Sequence, residues 1–173
     1  IVVEAADNFT VCDNDINVSS DVYQAVGIDI EGPATGVVKD NNITAKGTLV
    51  NTVYSGMNWK PATVTIVNNT ITAEGYAANA MELGGTSVTV EENAIVAVGN
   101  YTAGIVSTVP NAVIKDNRII VEGSNVGNES TGDYYMKKES VGISVAGGNA
   151  AISENTIESN GNTAVDLGNS DSV

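Results

Sequence analysis

Five acidic residues, Asp13, Asp40, Glu92, Asp116 and Glu154, each stand immediately before an asparagine, and in a chain without histidine they are the first candidates for chemistry. Carboxylates stacked about 5 Å apart repel by roughly 1 kcal/mol in water and more where screening is poor, so a column of them would welcome Ca2+. The competing reading is a solvated turn, where Asp is common because its short side chain bonds the local backbone. Cleavage of a polysaccharide would need a paired acid and base, or acids holding calcium beside a basic residue that takes a proton. Lys39 and Lys115 lie beside the column, and the single arginine, Arg118, follows one of its members. The acids are spread along the chain rather than gathered, so no catalytic residue is expected and the chain reads as a non-enzyme. Apart from calcium on that column, no cofactor is expected.

Cys12 is the lone cysteine. Alternation turns Val11 inward and Cys12 outward, and an unpaired outward thiol suits either a disulfide between molecules or a partly covered free thiol. Tyr23, Tyr76 and Tyr101 occupy similar places ahead of apolar segments, as a stack along one corner or as ring faces for sugars. Tyr54 and Trp59 fall in an expected insertion around residues 51–61, and Tyr134 and Tyr135 in a longer one around 124–139. Insertions in repeat proteins emerge on one face and often carry contacts, which makes these four the candidates for a lateral interface.

The formal charge of -14, from 7 basic and 21 acidic residues, repels nucleic-acid phosphates and anionic lipid, so neither nucleic acid nor membrane insertion is expected. No apolar run reaches the roughly 20 residues of a membrane helix. Val, Ile, Ala and 18 glycines with 5% aromatics make a strand-and-turn composition. An Ile at position 1 points to a processed chain or a fragment, with removal of an export signal as the simplest expectation. Sequons at Asn8, Asn17, Asn42, Asn68, Asn100 and Asn128 lean the same way, toward an extracellular place on the cell envelope.

What must position these residues is a repeated phrase: FTVCDNDINVSS, GVVKDNNITAKG, VTIVNNTITAEG, VTVEENAIVAVG, AVIKDNRIIVEG and AAISENTIESNG. It aligns Asn14, Asn41, Asn69, Asn93, Asn117 and Asn155 in one column, with an Ile two residues later in every copy. A repeat of this length cannot bury its own apolar face, so neighbours must stack. Period-two alternation makes the segments strands, about three to a repeat, and repeated corners favour coils in parallel register over hairpins. The expected fold is all-β: one domain over residues 1–173, a single-stranded parallel β-helix solenoid of about six coils. The Asn column is expected to form a ladder of side-chain amides and to supply the left-handed backbone at each turn.

The phrase V-x-[DEN]-N-x-I-x-[AV]-x-G covers nearly the whole chain and resembles the right-handed parallel β-helix repeats of the pectin-lyase-like superfamily. In its Asn-rich, acidic character it is similar to adhesin-like, S-layer and sheath proteins of methanogenic archaea. The resemblance implies the fold, while that fold serves lyases, hydrolases and surface proteins alike. Strand-like segments at both ends, with no capping helix, lead to the expectation of a structural protein whose partners are copies of itself. An adhesin segment binding glycans along its side is the alternative.

Overall fold

A computed structural model of the chain describes residues 1–55, 62–123, 140–146, 148–160 and 163–168. These form an all-β parallel solenoid. Strands are numbered in chain order. One sheet stacks β2 (Asp7–Cys12), β4 (Ala34–Lys39), β6 (Ala62–Val67), β8 (Ser87–Glu91), β10 (Ala112–Lys115) and β13 (Ala151–Ser153). The other stacks β1 (Val2–Glu4), β3 (Asp15–Glu31), β5 (Asn42–Ser55), β7 (Thr70–Leu83), β9 (Ala94–Ser107), β11 (Arg118–Gly123) and β14 (Thr156–Ser159), with β12 (Val141–Ala146) joining β9 and β15 (Thr163–Gly168) joining β12.

Every pairing is parallel, and the register repeats the sequence phrase. Ile16, Ile43, Ile71, Ile95, Ile119 and Ile157 form one aligned column. Val11, Val38, Ile66, Val90, Ile114 and Ile152 form another, facing it from the opposite sheet. β-branched side chains have one strongly favoured rotamer, so identical residues stack one above the next without loss of fit. In the middle of the stack these columns exclude water completely; at Ile16, Ile152 and Ile157 they are only partly covered.

Two expectations about the coils change. The stack comprises about four turns rather than six. Burial gives the physical reason: Asn41, Asn69, Asn93 and Asn117 are buried between coils on both sides, whereas Asn14 and Asn155 are covered from one side and remain half-buried. Nor does each coil break into three strands. In β5, β7 and β9 hydrogen bonding runs on through the second corner, where Gly47, Gly75 and Gly99 are aligned. A Cβ on Gly75 would run into the carbonyl oxygen of Gly47, and one on Gly99 into that of Gly75, so the corner is tight enough to keep both arms in one sheet.

Candidate functional site

The ladder is continuous. The Nδ2 of Asn14 donates to Oδ1 of Asn41 at 2.9 Å, and the same bond runs from Asn41 to Asn69, Asn69 to Asn93, Asn93 to Asn117 and Asn117 to Asn155. Each Oδ1 also accepts the backbone N–H of the preceding Asn, so one amide oxygen serves two donors. Each interior Nδ2 further donates to the carbonyl two residues before it and to one in the preceding coil, as Asn69 does to Val67 and Val38.

The left-handed turn lies one residue earlier than expected. Asp13, Asp40, Asn68, Glu92, Asp116 and Glu154 have φ between 54 and 58°, while the ladder Asn residues are not among the positive-φ positions. A ladder Asn is held by side-chain and backbone bonds to the next coil, and the left-handed conformation falls on the exposed residue before it. The acidic column is therefore a column of turn residues, the type of position where Asp and Asn are least strained. Two of its acids have amide or lysine partners: Asn68 donates to Asp40 at 2.7 Å with Lys39 at 3.7 Å, and Lys115 lies 4.0 Å from Asp116 and 2.8 Å from Glu91, which stands just outside the column. The Glu91 carboxylate beside Lys115 pushes the ammonium pKa up. Among the described residues, no three acids or thiols converge as metal ligands would. Arg118 pairs with Glu158 on the exposed flank at 3.0 Å.

A second polar cluster escaped the sequence reading. Asn51 and Asn79 are aligned on β5 and β7, and each is almost fully buried. Nδ2 of Asn79 donates to Oδ1 of Asn51 at 3.2 Å, and Nδ2 of Asn51 donates to a Glu82 carboxylate oxygen at 2.7 Å. Burial pushes the Glu82 pKa above the ordinary carboxylate value, and the two amides partly offset it. The signal was present in NTVYS and NAMEL, whose Asn residues share a register. Tyr54, placed by the sequence in an insertion, belongs to β5 and is aligned with Asp29 and Glu82. Its segment pairs too well with β7 to leave the sheet. Trp59, Tyr134 and Tyr135 lie outside the described residues.

Cys12 is half-buried on β2, opposite Lys39. A hydrogen bond with the Asp13 carboxylate, helped by desolvation and by that charge, pushes its thiol pKa up. Less of it is thiolate at neutral pH, which slows disulfide exchange. Tyr76 and Tyr101 meet edge to face with ring centres 5.4 Å apart, and Tyr23 stands apart in a bulge of β3, exposed.

The two ends of the stack collect most of the exposed large apolar residues. Val2, Val22 and Tyr23 belong to the first strands, with Val22 90% exposed, and Val165 and Leu167 to the last, with Leu167 67% exposed. Val165 and Leu167 prolong the columns of the buried Ile143 and Val145 with nothing described above them. None of the described residues forms a helix able to cross a membrane. Compared with known protein families, curated proteins and solved structures, the chain finds no match.

Proposed function

We propose that the chain is an extracellular structural protein that assembles end to end with copies of itself into a cell-envelope sheath or surface layer. The observation that carries this reading is at the last coil, where the exposed Val165 and Leu167 extend the core columns of Ile143 and Val145. Burying such surface drives association, and exposed strand edges template further strands. Exposed sequon asparagines, Asn8, Asn17, Asn42 and Asn68, and the likeness of the repeats to archaeal sheath and adhesin-like proteins support the extracellular location. The reading is non-catalytic. Electron microscopy of the purified chain, with and without reductant, tests it. Fibres or sheets are the expected result, loosened by reductant where Cys12 links neighbouring rods; isolated short rods at every concentration would overturn it.

The second reading is a glycan-binding adhesin segment. It rests on the exposed rings of Tyr23 and Tyr76, because aromatic faces pack against sugars. Binding on a glycan array that is lost on Tyr76→Ala would favour it, and an array without signal would remove it.

A further inference from the structure

Resting on that reading of end-to-end assembly, we propose that copies stack head to tail in one polarity, with Asn155 of one copy donating the next rung of the ladder to Asn14 of another. Hydrogen bonds at all the internal junctions run the same way. The N–H and Nδ2 of the lower Asn donate upward to Oδ1, and the N–H of the residue after the upper Asn donates back to the lower Asn carbonyl. The return bonds, from Asn42 to Asn14 through to Thr156 to Asn117, are 2.8 to 2.9 Å.

This leaves two unlike faces. Among the described residues, the last coil presents the N–H, carbonyl oxygen and Nδ2 of Asn155, the Nδ2 also bonding the Ile114 and Ser153 carbonyls as interior rungs do, and the first presents Oδ1 of Asn14 and the N–H of Asp15. Donors on one face match acceptors on the other, and the Ile16 and Val11 columns would meet those ending in Ile157 and Ile152. Two first coils face to face would instead oppose one Oδ1 with another and run the strands antiparallel. A contact between unlike faces does not close on itself after two copies, so it propagates as a filament. The lone cysteine lies in the first coil, so the axial junction contains no thiol pair, and a disulfide can join only side-by-side rods or two first coils.

The test uses one block on each face. Asp15→Pro removes the N–H that the first coil would donate, at an edge where proline is tolerated. Leu167→Lys places a charge on the last coil. Wild-type chain should form concentration-dependent oligomers in sedimentation velocity. Each variant alone should stay monomeric at a concentration at least tenfold above that at which wild-type oligomers form, and an equimolar mixture should form a dimer, capped at both ends and indifferent to reductant. Circular dichroism and a denaturation midpoint establish that each variant folds. If Asp15→Pro does not, Asn14→Leu replaces it, removing the acceptor while leaving the backbone donor. Single variants that still dimerise, with nothing gained on mixing, would overturn the polarity and leave self-assembly standing. A wild-type chain monomeric at every concentration would overturn the assembly reading itself and this inference with it.

Discussion

A ladder asparagine contributes through the groups that depend on it. Asn69 supplies a donor to Val38, Val67 and Asn93 and an acceptor to the N–H and Nδ2 of Asn41, all in the buried middle of the stack. Each buried polar group left without a partner costs about 1 to 3 kcal/mol. Asn69→Ala is expected to lose at least that much stability in chemical denaturation, and Asn14→Ala distinctly less, because water reaches the end rung; equal losses would contradict the ladder as a stabilising element. The turn column makes a different prediction. Glu92 holds φ 58° without the short side chain that makes this conformation tolerable for Asn and Asp. Glu92→Asn should therefore stabilise the fold by about 1 kcal/mol. If the column served calcium, the same change would instead weaken any calcium-induced rise in melting temperature.

Elements are joined by register, and register explains the polar cluster that period-two patterning did not reveal. β5 and β7 align Asn51 with Asn79 and Tyr54 with Glu82, drawing a carboxylate into a half-buried place on the sheet. Its folded pKa is raised above the unfolded value, so the native state binds the proton more tightly. Stability from this group is then greatest below the unfolded pKa and is lost as pH rises through the raised folded pKa. Glu82→Gln keeps an acceptor for Asn51 and removes the charge. Thermal melts should show the variant more stable than wild type near neutral pH, with the difference vanishing in acid; a difference that ignores pH would mean the carboxylate is not the cause.

At the scale of the whole molecule, charge opposes what the end faces favour. Asp13, Asp15 and Asp21 in the first coil and Glu154, Glu158 and Asp166 in the last would approach one another on stacking, with no lysine or arginine in the described residues of either coil. Salt screens such repulsion over about 10 Å at 0.1 M. Association measured by sedimentation should therefore strengthen as sodium chloride rises from about 0.05 to 0.5 M. Weakening over that range would point to a contact built on ion pairs instead.

The solenoid, its parallel register and the Asn ladder were legible in the sequence because each is periodic: every coil must match its neighbour, so the same residue type recurs at the same place. The tertiary structure decided what periodicity alone does not encode. It put the left-handed turn on the residue before each Asn, the exposed position whose side chain takes no part in the ladder. It kept Asn51–Ser55 in β5, because pairing with β7 continues past the corner glycines. It gathered Asn51, Asn79 and Glu82, whose meeting depends on how two coils align rather than on spacing within one. It also separated buried rungs from half-covered ones, a distinction that the repeated phrase cannot carry because exposure depends on what lies above and below each coil.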